Sequence, residues 1–151
     1  MTAKTNRPRP SAKGQLATIL SRLPSSMEKL TRAVLPKLRA QLPGAVELVY
    51  DKKNSLVIGF CSDERASNVI NSIAVYRNWI NLYFFEGDTL PDPERLLQGS
   101  GSSVRHIRIT AATDLDALAV KALIAEARKR ADPPLAPRAR GRVILKQVRK
   151  F

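Results

Sequence analysis

Apolar residues recur along this chain first at helical spacing and then at strand spacing. Leu16, Ile19, Leu20 and Leu23 fall on one face of a first helix, which Pro24 closes. Ser25 and Glu28 have the spacing of a capping box for a second helix, whose apolar stripe is Met27, Leu30, Val34, Leu38 and Leu42. Pro36 interrupts that stripe and predicts a kink or a split, because proline removes a backbone donor and crowds the preceding turn. Beyond "LPGAV" the period changes to two. "VELVYD" and "LVIGF" flank a Lys-Lys-Asn-Ser turn and predict a hairpin; Ile73 and Val75, then Ile80, Leu82 and Phe84, flank "YRNW" and predict another.

Gly87 and the prolines at 91 and 93 break the strand pattern. "PERLLQ", with Asp92 as its cap and Gly99 as a left-handed residue past its end, predicts a short helix. In the strand that follows, Arg105, Ile107 and Ile109 share one face while Val104, His106 and Arg108 share the other, so the isoleucine side is the core side. Thr113 and Asp116 have capping-box spacing for a final helix with the stripe Leu115, Leu118, Ala119, Ala122 and Leu123. The apolar "VILKQV" near the end suits either a strand or a segment that folds on a partner. The pattern as a whole predicts an α+β domain, with an antiparallel sheet of about four to five strands packed by N-terminal and C-terminal helices. It spans 15–131, between a flexible basic arm at 1–14 and a basic tail, bearing proline and arginine, at 132–151.

A length of 151 residues with 44% hydrophobic positions suits one core. Charge adds a second layer. Lys and Arg number 26 against 13 Asp and Glu, a net charge of +13 that favours anionic partners. The two tails carry ten bases against one acid, and the middle sixteen against twelve. Basic tails of this kind suit phosphate contact through Arg138, Arg140, Arg142, Lys146, Arg149 and Lys150. The lone Cys61 has no intramolecular disulfide partner, and no cysteine cluster suggests zinc. No apolar run is long enough for a secretory signal or a membrane span, so the expected location is the cytoplasm.

Candidate chemistry is sparse. The glycines of "QGSGSS" follow a helical pattern and precede a strand, the reverse of the order a phosphate loop needs, so they suit a cap and turn. His106, the only histidine, is expected to face solvent without a nucleophile or metal partners. Arg105 leans to the core side of its strand, where a long cation needs a carboxylate or an anionic ligand. Glu86, Asp88, Asp92 and Glu94 are the densest carboxylates and the only conceivable site for a hard cation, although turns and helix starts use the same residues. "VYRNWINLYFF" sets aromatic rings beside a base, a composition that serves base stacking as well as cross-strand packing. No catalytic constellation and no cofactor motif accompany these features.

The runs "AVELVYDKKNSLVIGF" and "SIAVYRNWINLYFFEGDTLPDPERLLQGSGSSVRHIRI", with the helix from Asp114, resemble the YdhG-like family of bacterial domains of unknown function. The resemblance covers roughly 26–131, and its most specific piece is "LPDPERLLQGSG" followed by "RHIRI". It implies a small α+β domain without an established activity or catalytic residues. One branch of the family is similar to frataxin and is associated with intracellular iron delivery. Such a role calls for exposed acidic surface, which this basic chain offers only between Glu86 and Glu94. The expected function is therefore a non-enzymatic one, binding a small anionic ligand or a macromolecular partner near Arg105, His106 and Trp79. Metal handling through the acidic cluster and nucleic-acid contact through the basic tails are the alternatives.

Overall fold

A computed structural model describes residues 10–149. Helix α1 (Ala12–Ser21) starts at Ser11, whose hydroxyl accepts a hydrogen bond from the Gly14 amide at 3.0 Å, and buries Leu16, Ile19 and Leu20. The α-helical part of the expected basic arm thus begins at residue 12, and residues 1–9 of that arm lie outside the described residues. Helix α2 (Ser25–Gln41) runs through Pro36 unbroken. The expected split does not occur because Pro36 is on the exposed face, where the carbonyl it leaves without an amide partner meets solvent. The capping box at Ser25 is absent too: Pro24 occupies the cap and Glu28 pairs with Arg32 at 2.9 Å.

Strands β1 (Val46–Asp51) and β2 (Leu56–Cys61) form the first hairpin, with Asp51 opposite Leu56. Strands β3 (Val69–Val75) and β4 (Ile80–Phe84) form the second, with Val75 opposite Ile80. β2 joins the hairpins by pairing antiparallel with β3, and β5 (Arg105–Ile109) pairs antiparallel with β4. Helix α3 (Leu118–Lys129) follows, and β6 (Arg142–Gln147) closes the sheet parallel to β1, in the order β5-β4-β3-β2-β1-β6. The sheet is therefore mixed and six-stranded, and it takes residues 142–147 out of the expected tail.

Two local expectations change. "PERLLQ" is a turn and extended loop, not a helix, because both oxygens of Asp92 are taken by the amides of Leu96 and Leu97 at 2.9 and 2.8 Å and Arg95 adopts φ +53°. At the last helix, Asp114 rather than Thr113 organises the start, accepting from the amides of Thr110 and Ala111. A short 3-10 turn over Ala112–Asp116 carries Leu115, while Leu118 is exposed outside the stripe.

Alternation decides which face is buried. Val49, Ile58, Phe60, Ile73, Val75, Ile80, Leu82, Phe84, Ile107 and Ile109 point to one side and form one core with the buried faces of all three helices. Val46, Leu48 and Cys61 form a small separate cluster on the opposite side with Tyr50, Val69 and Ile144. Among the described residues no helix packs on that second face. The buried side also holds two acids of β1. Glu47 is met by Arg39 of α2 through two bonds of 2.9 Å, and Asp51 by Arg149 at 3.3 Å.

Gly44 fixes the entry to β1. It has φ +79°, and a Cβ there would lie 2.0 Å from the carbonyl oxygen of Ala136. Gly44→Ala is expected to lower unfolding stability by roughly 2 to 3 kcal/mol, from the unfavourable backbone region and displacement of the 136–137 segment. A urea titration followed by far-ultraviolet circular dichroism measures the loss. Arg39→Ala, which leaves the Glu47 carboxylate buried without its partner, is expected to cost about 2 kcal/mol in the same assay, between the values for exposed and fully buried pairs.

Candidate functional site

The uncovered sheet face carries the richest chemistry. β4 and β5 place Tyr83 opposite His106 and Asn81 opposite Arg108, all on the side away from the helices. The turn between β3 and β4, closed by the Tyr76 amide donating to the Trp79 carbonyl at 2.9 Å, adds Tyr76 and Trp79. These rings form a continuous path. Tyr76 stacks on Trp79 with centroids 5.0 Å apart, the hydroxyls of Tyr76 and Tyr83 lie 3.1 Å apart, and Tyr83 meets the His106 ring at 5.5 Å. Asn81 Nδ2 donates to the Tyr83 hydroxyl at 3.2 Å, and the Arg108 guanidinium lies over Trp79 at 5.2 Å. Each ring is half-buried, so part of every π-face or edge reaches solvent.

At the Trp79 end the path opens into a cleft of about 560 Å³. It lies where the α1–α2 corner, the β1–β2 turn and the β3–β4 turn meet, and its cations are Arg22, Lys52, Lys53, Arg77 and Arg149. Asp51, already paired with Arg149, is the only acid on its wall. The local excess of positive charge is therefore large, and it sits beside stacked aromatic rings. Lys52 extends the same pattern along the face, with its ammonium 6.0 Å from the Tyr50 ring.

The residues singled out in the sequence separate into two groups. Trp79 and His106 lie at the two ends of the aromatic path, and His106 is half-buried against Tyr83 rather than simply solvent-facing. Arg105 does not join them. Its Nη1 donates to the carbonyls of Gly101 and Val104 at 2.6 and 2.8 Å, its stem packs on Gly87, and it is not on the wall of the cleft beside Trp79. Paired amides and carbonyls of Gln98 and His106 close the loop around it, and among the described residues no carboxylate pairs with Arg105.

Nor do Glu86, Asp88, Asp92 and Glu94 converge: among the described residues no three acidic, histidine or cysteine side chains are placed to hold a metal ion. Asp92 is spent on the amides of its own turn. Of the basic tail, Arg142 pairs with Glu64, Arg149 pairs with Asp51, and Arg138 and Arg140 are exposed. Lys146 is exposed on β6, and Lys150 lies outside the described residues.

Two groups on this face have shifted titration. Tyr76 is pushed up to about 12, chiefly by its hydrogen bond to Tyr83 and then by burial. Cys61 rises to about 11, chiefly through burial and then through the charge of Asp63, against which Lys146 pulls the other way. Asp63 itself is held below its usual range by hydrogen bonds from the Asn68 side chain and the Arg65 amide. The aromatic path was only partly visible beforehand. Tyr76, Trp79 and Tyr83 fall inside the aromatic run, but the register that brings His106 and Arg108 beside them is a tertiary fact.

No helix among the described residues is long and apolar enough to cross a membrane. Comparison with protein families, with curated proteins and with solved structures finds no match to this chain.

Because the fold holds the neutral Tyr76 phenol, its contribution to stability is present below pH 10 and is lost as pH rises through about 12. Tyr83→Phe removes the hydroxyl partner and is expected to bring the Tyr76 titration back toward 10, read as phenolate absorbance against pH. Cys61 is expected to resist a thiol reagent at pH 8 in the native protein and to react fully once unfolded, since neither access nor thiolate is present in the fold.

Proposed function

We propose that this YdhG-like domain binds single-stranded nucleic acid along the uncovered face of its sheet. The observation that carries the reading is the ring path from Trp79 through Tyr76 and Tyr83 to His106, which runs out of a cleft bearing five cations. Such binding needs two things at once: π-faces on which bases stack whatever their identity, and cations spaced along the backbone. The ring path and the cations of the cleft adjoin at Trp79, and that adjacency supports the reading. A base takes the place of the Arg108 guanidinium on Trp79, and Arg108 turns to a phosphate. Arg77 and Lys52, exposed on neighbouring turns, hold the backbone where it enters the cleft.

Duplex suits the site less well, because its bases are stacked on one another and present no free faces. The basic tail contributes from a different place than the composition implied. Arg149 belongs to the cleft and β6 to the sheet, so the tail acts as part of the folded surface.

Trp79 is the only tryptophan, so its intrinsic fluorescence reports directly on the site. Titration with oligothymidylate is expected to quench it saturably, with tighter binding than a duplex of equal length. The logarithm of affinity should fall linearly with the logarithm of salt, and Lys52→Ala with Arg77→Ala should reduce that slope by about 1.4 in total. Trp79→Ala, followed by anisotropy of a labelled oligonucleotide, should weaken binding by about 1 to 3 kcal/mol. Absence of quenching at low salt, or equal affinity for duplex, would refute the reading.

A further inference from the structure

The two edges of the sheet are not alike. Beyond β5 the chain supplies its own cover, with Gln98 and His106 exchanging two backbone hydrogen bonds of 2.9 Å. Beyond β6 there is no such cover: among the described residues β6 pairs with β1 alone, and no turn or loop bonds to its backbone. An edge left in this state is a template for another strand.

The register shows which groups that edge presents. The Lys52 amide donates to the Ser55 carbonyl at 2.9 Å, so by alternation Tyr50, Leu48 and Val46 also direct their backbone groups at β2. Glu47 and Val49, between them, direct theirs at β6. In a parallel ladder such bonds go to the residues flanking the partner. Glu47 is opposite Val143 and Val49 opposite Leu145, so Arg142, Ile144 and Lys146 return the bonds. Val143 and Leu145 are left pointing amide and carbonyl away from the sheet. Access to solvent widens along the strand: Val143 is 8% exposed, Leu145 is half-buried, Lys146 and Gln147 are exposed, and Val148 beyond them is 45% exposed. The edge is therefore most open from Leu145 onward.

Charge decides what can use it. From Pro133 to Phe151 the sequence has six bases and no acid. The acids that reach this segment from elsewhere are already taken, Glu64 by Arg142 and Asp51 by Arg149. Arg138, Arg140 and Lys146 make no ion pair among the described residues, and all three are exposed. A second copy of β6 would bring more bases and no acid to the same edge, so the charge disfavours self-pairing. Along β6, Val143 and Leu145 pack with the helical core while Ile144 joins the opposite face, which Lys146 shares by alternation.

We infer that the β6 edge takes up an extended acidic peptide of a partner protein as a seventh strand. Its backbone pairs with the outward groups of Val143 and Leu145, its acidic side chains lie on the Lys146 side, and its apolar ones lie on the Leu145 side. Main-chain bonds supply affinity in such an addition, and the alternating side chains supply selectivity.

A fluorescein-labelled peptide of alternating Glu and Val, seven residues long, tests this by anisotropy with the full chain. Saturable binding is expected. The same peptide with Lys in place of Glu should bind more weakly by about tenfold or more. So should the Glu-Val peptide N-methylated at every residue, which keeps its side chains but has no backbone donors. Leu145→Pro removes an outward amide that the ladder does not use, so it should weaken the peptide by about tenfold with the far-ultraviolet circular dichroism unchanged. Lys146→Glu alters only an exposed side chain, and should weaken binding by about fivefold with the thermal melt in place. Trp79→Ala should leave peptide affinity unchanged, so this edge and the ring path stand or fall separately. The inference is overturned if the Glu-Val peptide does not bind, if its N-methylated form binds as well, or if both β6 substitutions leave affinity intact. A dimer in sedimentation that Leu145→Pro dissolves would also overturn it, because a second copy would then fill the edge. So would displacement of the peptide from the Trp79→Ala variant by oligothymidylate, because the edge would then be a nucleic-acid surface.

Discussion

All three helices press on the same face of one sheet, and the other features of the molecule follow from that asymmetry. A period-two strand has only two sides. Once Phe60, Phe84, Ile73 and Leu82 are committed to the helices, their neighbours Gly59, Tyr83, Ser72 and Asn81 are committed to the other side. Those neighbours meet no second layer among the described residues. Gly59 and Ser72 are small, Asn81 is an amide that donates to the Tyr83 hydroxyl, and Tyr83 is a half-buried ring with a polar tip, so neighbouring side chains of the sheet itself cover this face. Ring contact and hydroxyl pairing between Tyr76, Trp79, Tyr83 and His106 cover this face from within. The same contacts leave edges and faces available to a ligand.

The two acids on the buried side of β1 have a comparable organising effect on the positive charge. Glu47 and Asp51 are four residues apart and share the helix-facing side, where a lone carboxylate is costly. Each recruits an arginine from elsewhere in the chain, Arg39 from α2 and Arg149 from beyond β6. The two pairs mark two basic clefts, one at each end of α1. Positive charge that looked dispersed in the sequence is thus gathered around two buried anchors, with exposed Lys and Arg left around them. A basic protein needs no special patch to attract anions, but it needs one to hold them in a defined place.

How much of this was legible beforehand depended on whether a feature was local. The hairpins of β1 with β2 and β3 with β4 follow from alternation and from turns of four residues, and α1 and α2 from their apolar stripes. Features set by competition between local preferences were misread. The Asp92 carboxylate had a choice between capping a helix and closing a turn, and its bonds to Leu96 and Leu97 settle it for the turn. Pro36 predicts a kink or a split, yet the helix runs through it unsplit, because on an exposed helix face the missing donor costs little. Arg105 was placed correctly on the core side of its strand, yet the loop that supplies its carbonyl partners depends on the bridge between Gln98 and His106.

The sequence by itself determined the α+β class, the alternation that separates the two faces of each strand, and the excess of positive charge, because each depends on residue type and spacing along the chain. Only the tertiary structure decided that β6 joins the sheet parallel to β1, that His106 and Arg108 come beside Tyr83 and Trp79, and that Arg39 meets Glu47. Those are contacts between residues distant in the chain, and their cost in loop closure is repaid by burial of the whole core, a sum that no short window of sequence contains.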